Sequence, residues 1–249
     1  MSNKDINVSK RIRFFLGHLL ISIAIVLLAT YLIFGLWYPQ PLDKALGVSF
    51  IFMMMITIDV IVGPLLSLVV YKEGKKTLKM DLSVIIAVQV LAFTYGMYNL
   101  MQGRPVWLVQ NGHVFELVRH SDVIVQDNGH PDYDSYTTWT GPKVVAINYG
   151  KTLKEKGDWL FKDIADVPAA YRPSRYTSLQ QAKLDIQEQQ QSLNKLAQFN
   201  DNAAVIQVKT KYTKADTWLP LRGGDIDMVV LINSKVPEVL AIVDLHPWN

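Results

Sequence analysis

Asp59 is the formally charged residue most at odds with its surroundings, because it stands alone among charges in the apolar run from Ala45 to Tyr71. It lies 12 residues from the lysine-flanked end of that run, or about 18 Å along a helix at ~1.5 Å per residue, near the middle of a bilayer. A carboxylate at that depth costs about 3 kcal/mol or more on insertion scales, so it should face other helices or be protonated. Thr94 and Tyr95 in the next apolar run lie at nearly the same depth, with Gln89 and Ser22 a turn or more shallower. Gly63 and Pro64 follow Asp59 by one turn. Pro64 has no N–H for the carbonyl of Val60, so a kink and a needy carbonyl are expected there. Three chemistries fit an acid in this setting: a structural hydrogen bond between spans, a docking point for a partner helix, or a path for ions or protons.

Elsewhere residues arranged for chemistry are sparse. The chain has no cysteine, which excludes disulfides, thiolate metal sites and a cysteine nucleophile. It has no Gly-x-Ser-x-Gly elbow, no His-Glu-x-x-His and no phosphate-cradling glycine loop. The densest polar stretch is Asp127-Asn128-Gly129-His130-Pro131-Asp132-Tyr133-Asp134. Its glycine comes third and no glutamate stands where a calcium loop needs one, so it reads as a solvated acidic loop. His113 and His120 could share a strand face as packing or surface residues, and His18, one turn into its run, reads as interfacial. Gly223-Gly224-Asp225 reads as an isolated turn. No catalytic residue, metal-ligand set or cofactor motif emerges, and the expectation is a non-enzyme without metal or cofactor.

The elements that must position Asp59 are three apolar runs, about 14–37, 45–71 and 82–102. Of their 72 residues, 54 are apolar, about 75%, against roughly 40% elsewhere. Each run exceeds the 10–14 residues of a buried core helix or a signal peptide, so each is expected to span a membrane. The cations set the orientation. Lys4, Lys10, Arg11 and Arg13 precede the first span, and Lys72, Lys75, Lys76 and Lys79 fill the 72–79 loop between the second and third. The loop between the first two spans holds only Lys44. By the positive-inside rule the arm 1–13 and the lysine loop are cytoplasmic, and residues 103–249 are periplasmic in a bacterium. Topology is the plain role of these lysines and arginines, with attraction to anionic membrane lipid or a cytoplasmic partner as a more specific one. Trp37 and Tyr38 fall where an external aromatic belt would lie, and Tyr71 where a cytoplasmic one would.

Residues 103–249 carry 16 cations and 17 anions, so the net charge of +3 arises in the first 102 residues and gives no nucleic-acid surface. Alternating or continuous apolar runs predict strands at 105–110, 114–118, 143–149 and 204–209 and a hairpin of 226–232 with 239–244, the first pair joined by Asn111-Gly112. Helices are predicted at 158–166 and, most clearly, at 178–199 behind a Ser178 cap. The fold class is thus a membrane protein: three transmembrane α-helices, then an α+β periplasmic domain with an antiparallel sheet and one main helix.

The membrane half carries a series of motifs in order: Trp37-Tyr38-Pro39-x-Pro41-Leu42, Ile58-Asp59-Val60-Ile61-x-Gly63-Pro64-Leu65-Leu66, Tyr71-Lys72-x-Gly74-Lys75-Lys76-Thr77-Leu78-Lys79-x-Asp81-Leu82, and Gly103-Arg104-Pro105. This series resembles the type IV pilin accessory proteins of the TfpX/TfpZ group. The resemblance implies an inner-membrane protein that works beside the pilin and influences pilus assembly and surface piliation. It implies no catalytic residue, and it assigns no role to Asp59, Gly63 or Pro64. A pilin helix could pack against the spans with a polar contact at Asp59. Since pilin helices usually carry an acid near their start, a direct acid–acid contact would need one group protonated. A membrane-anchored sensor and an ion- or proton-coupled transport subunit using Asp59 are the competing classes.

Overall fold

Long runs without charge form helices here because lipid offers no partner for the backbone, so every N–H and C=O must be satisfied within the segment. The computed structural model describes residues 3–124, 138–150, 152, 154, 155, 157, 159 and 168–248. Among the described residues, three helices are long and apolar enough to cross a membrane: Lys10–Trp37, Val48–Val70 and Leu78–Gly103. The first consists of α1 (Asn3–Thr30) and a wider π-helical segment, Tyr31–Trp37. The short helix α2 (Leu42–Ala45) follows in the loop. The second span runs α3 (Val48–Ile56), a π-helical segment Thr57–Val62, then α4 (Gly63–Val70), and the third is α5 (Leu78–Gly103). Polar groups point inward and apolar ones outward: Asp59, Ser22 and Ser67 are buried, whereas Phe50, Val69 and Leu91 are exposed. That inversion of the water-soluble pattern is what a hydrocarbon surround selects.

The chain divides into two compact units, Met1–Gly35 with Val48–Met101, and Leu36–Gly47 with Gln102–Asn249. Residues 36–47, which the sequence divides between a loop at 38–44 and the adjoining ends of the first two apolar runs, thus belong with the C-terminal unit. Asp225 N–H donates to the Ala45 carbonyl, Gly141 N–H donates to that of Leu36, and Lys44 Nζ pairs with Asp244 at 2.7 Å. Gly47 sits at φ +63, where a Cβ would meet the Asp225 carboxylate. Trp37 and Tyr38 are 7% and 2% exposed, so they are packed inside a fold and not displayed as a belt. Burial raises the Tyr38 hydroxyl above its ordinary range, against the opposing pull of Arg119 and Arg104.

Among the described residues the C-terminal unit is built on one sheet of eight strands. Its strands are β1 (Pro105–Asn111), β2 (Val114–Arg119), β3 (Lys143–Ile147), β4 (Tyr176–Thr177), β5 (Gln191–Ser192), β6 (Thr217–Arg222), β7 (Met228–Asn233) and β8 (Glu238–Val243). Their order is β4-β3-β1-β2-β6-β7-β8, with β5 on β6. Most pairs are antiparallel, but β1–β3 and β2–β6 are parallel, so the sheet is mixed. The α+β class stands.

Two elements differ from their sequence patterns. Residues 178–199 do not form one helix: α6 (Lys183–Gln189) ends at an extended Gln190, Gln191–Ser192 pairs with β6, and a 3₁₀ turn takes Leu193–Gln198. Pairing with β6 outcompetes helix propensity at that point, reinforced by Trp218 Nε1, which donates to the Ser192 carbonyl at 2.9 Å, and by the Asn194 N–H, which donates to the Ser192 hydroxyl. Residues 204–209 are helical, inside α7 (Asn202–Lys211), because the Asp201 carboxylate accepts the N–H of Ala203 and caps a turn. Strand β6 has no counterpart among the strands expected from the sequence. The proposed acidic loop 127–134 lies outside the described residues, as does nearly all of the 158–166 helix.

Candidate functional site

Asp59 sits in the π-helical segment of the second span, and the segment's geometry follows from Pro64. Gly63 N–H donates five residues back, to the Ile58 carbonyl. In that register the Asp59 carbonyl would look to residue 64, which is proline and has no N–H. The needy carbonyl is therefore that of Asp59, one residue before the one a regular helix with Pro64 would orphan. Gln89 Nε2 from α5 donates to it at 3.2 Å. Gly63 makes room for this contact, since a Cβ there would lie 1.8 Å from Gln89 Nε2. Asp59, Gly63, Pro64 and Gln89 are thus one unit: proline removes a donor, glycine opens the space, and a glutamine from another span fills the vacancy.

That bond satisfies the main chain only. The side-chain oxygen Asp59 Oδ2 is buried without a hydrogen-bond partner, and Gln89 Oε1, also buried, faces His18. Asp59 is 7% exposed. Both side chains line a cavity of about 680 Å³ whose other walls are mostly apolar. Along α1 the lining falls at positions 14, 17, 18, 21, 22 and 25, and along α5 at 86, 89, 90 and 93. Arg13 lines it too, from the N-terminal side of the same α1 face.

The remaining predicted residues fall into separate places. Thr94 and Tyr95, equal to Asp59 in depth, are exposed, Tyr95 by 71%, and the structure does not bring them to Asp59. Gln89 takes that place. His18 does not lie idle at an interface: its Nδ1 sits 3.2 Å from Ser67 Oγ, whose hydroxyl donates to the Pro64 carbonyl at 2.8 Å. At the lysine-rich end, Arg11 Nε donates to the Leu68 carbonyl, Lys10 pairs with Glu73, and Lys75 pairs with Asp81. Lys72, Lys76 and Lys79 are exposed and make no ion pair among the described residues, and Arg13 is exposed at the cavity mouth. His113 is in the turn before β2, and His120 follows β2 with Nδ1 2.9 Å from Gln102 Oε1, so neither lies on a strand face. Gly223-Gly224-Asp225 is the turn that grips Ala45.

Depth along a straight helix points to Thr94 and Tyr95 and passes over Gln89. The signal that finds Gln89 is the proline: it leaves a carbonyl pointing toward the lysine-flanked end of the span, where a long side chain from a turn shallower reaches it.

Three spans, an acid held between them and an α+β unit define a polytopic membrane protein with a sizeable extramembrane domain. The family model for the fimbrial assembly protein FimB matches residues 6–47. Three similar curated proteins come from Dichelobacter nodosus. The fimbrial assembly protein of serogroup E1 is 28% identical over 236 residues, covering 91% of this chain and 88% of that one. The serogroup I protein is 28% identical over 165 residues, 65% of this chain and 64% of its own. The protein of serogroups C1 and C2 is 35% identical over 112 residues, 44% of this chain and 86% of its own. No solved structure matches. The chain belongs to the fimbrial assembly protein family.

Proposed function

We propose that this chain is an inner-membrane accessory protein of type IV pilus assembly that holds a pilin by its membrane helix and modulates assembly or surface piliation without catalysing a reaction. The observation that carries the reading is likeness to a fimbrial assembly protein along 91% of the chain. The three spans and the unpartnered acid at the cavity support it, since a pilin awaiting assembly is itself a membrane helix with a head outside. Orientation follows the cations: the lysine-rich ends of the spans face the cytoplasm and the sheet unit faces the periplasm. In this arrangement Lys72, Lys76, Lys79 and Arg13 rest among lipid headgroups. Asp59, Gly63 and Pro64 form the partner-binding element, with Gln89 beside them. Thr94 and Tyr95, facing outward, belong to the lipid-exposed side of the third span.

Deletion of the gene with pilus counting by electron microscopy, paired with recovery of pilin on the detergent-solubilised tagged protein, tests this. Altered pilus number and co-purifying pilin are expected. Normal piliation with no pilin recovered would defeat the reading.

A further inference from the structure

We infer that the cavity beside Asp59 is a lateral dock for a second polypeptide's transmembrane helix carrying a nitrogen donor, an amine or amide, near the bilayer midplane. The inference rests on the reading that the spans receive a membrane helix, and it names the chemistry of that contact. Two observations carry it. First, two acceptors face the cavity: Asp59 Oδ2 is buried in its wall without a partner, and Gln89 Oε1 beside it meets the His18 ring of the same wall. The orientation of Gln89 is fixed, because its Nε2 is committed to the Asp59 carbonyl. Lipid tails offer no donor, and a bare polar atom in hydrocarbon costs several kcal/mol, so Asp59 Oδ2 calls for a donor from protein. A helix's own backbone N–H groups are internal, which leaves a side chain or a free amino terminus. A nitrogen with more than one proton can serve both oxygens at once.

Second, the cavity walls have the form of a helix seat. The lining positions on α1 and on α5 each advance by three and four residues, the spacing of a helix face that packs against another helix. On α1, Gly17 has nothing within 4 Å of where its Cβ would be, so a neighbouring backbone can come close. Ile21 and Val90 are 63% and 57% exposed, and none of the most apolar window of α5 is buried. An acyl chain could fill the apolar length of the seat, but it would leave Asp59 Oδ2 unmet.

Photocrosslinking in native membranes tests the dock, with the crosslinker at position 25 or 86 in the seat and at exposed Leu91, outside it, as control. The expected result is an adduct from 25 and 86, and not from 91, to a membrane helix of another protein that bears a lysine, arginine, amide or amino terminus in its middle. Asp59→Leu should lower that adduct at least tenfold at equal membrane levels, while Asp59→Asn, which keeps a carbonyl acceptor, retains most of it. Ile86→Trp fills the seat with Asp59 intact and should abolish the adduct from position 25. Adducts to lipid alone, to this chain's own spans or to a second copy overturn the inference, as does indifference to Asp59→Leu or Ile86→Trp. Lipid-only adducts with pilin still co-purifying would remove the dock and leave the assembly role. A docked helix from a protein other than pilin would keep the dock and remove pilin as its occupant.

Discussion

Gln89→Leu removes the 3.2 Å bond to the Asp59 carbonyl and leaves that oxygen without a donor in the membrane interior. Interhelical hydrogen bonds in membranes contribute about 0.6 kcal/mol on average and up to about 1.7. Because no backbone N–H substitutes here, the cost should fall in the upper half of that range, about 1 to 1.5 kcal/mol. Pro64→Ala restores an N–H at the position the carbonyl lacks. Whether the helix keeps its wide turn, with residue 64 donating to Asp59, or reverts to regular spacing, with Gly63 donating to Asp59, the carbonyl gains an internal donor. In the Pro64→Ala background Gln89→Leu should therefore cost close to nothing, and the cycle should show a coupling of about 1 kcal/mol, above the ~0.3–0.5 kcal/mol expected of independent sites. The chain has no cysteine, so a pair of dyes on cysteines introduced at exposed Val69 and Val88 can report separation of the second and third spans during SDS-driven unfolding in mixed micelles. Equal cost of Gln89→Leu in both backgrounds would falsify the account of the π-helical turn.

Other outcomes follow from the C-terminal unit. Gly47→Ala should cost about 1–2 kcal/mol for the left-handed backbone alone, plus displacement of the Asp225 carboxylate, and limited proteolysis should then cut within 36–47 faster than in the parent. Lys44→Ala removes an exposed ion pair with Asp244 and should leave the thermal midpoint unchanged at physiological salt. Burial would raise the Asp216 carboxyl, but hydrogen bonds from Ser234 N–H and Oγ, both 2.8 Å, outweigh it and hold the group below the usual carboxylate range. A depressed folded-state value contributes stability above the unfolded value, about 3.9, which is lost as pH falls through the folded one. The gap in unfolding midpoint between the parent and Asp216→Asn should thus be present at pH 7 and close in strong acid. Trp218 is wholly buried and gives Nε1 to Ser192; Trp218→Phe should cost about 1 kcal/mol for the lost bond and more for the smaller ring, read by chemical denaturation.

The parts of this molecule legible in its sequence are those where a single physical effect outweighs all others. Hydrocarbon demands long uncharged helices, so the spans read from composition, and an acid among them stands out by its desolvation cost alone. Asn111-Gly112 and the β7–β8 hairpin read from turn chemistry and alternation, with Gly112 at φ +60 in the turn. What did not read was decided by contacts distant in sequence. Residues 191–192 leave a good helix pattern because β6 offers them a pairing edge, and 204–209 give up strand character because Asp201 caps a helix. The 36–47 segment reads as span ends and a connecting loop until Asp225, Gly141 and Asp244 are seen gripping it from more than a hundred residues away. At the candidate site, Asp59, Gly63 and Pro64 were visible as anomalies, but Gln89 required knowing that the proline leaves a carbonyl pointing toward the lysine-flanked end of the span.

The most direct measurement of the central claim is recovery of pilin with the tagged protein from solubilised membranes, compared between the parent and Asp59→Leu at matched membrane levels. The account predicts pilin with the parent and at least tenfold less with the variant. Absence of pilin from the parent, with pili unchanged in number, would contradict it.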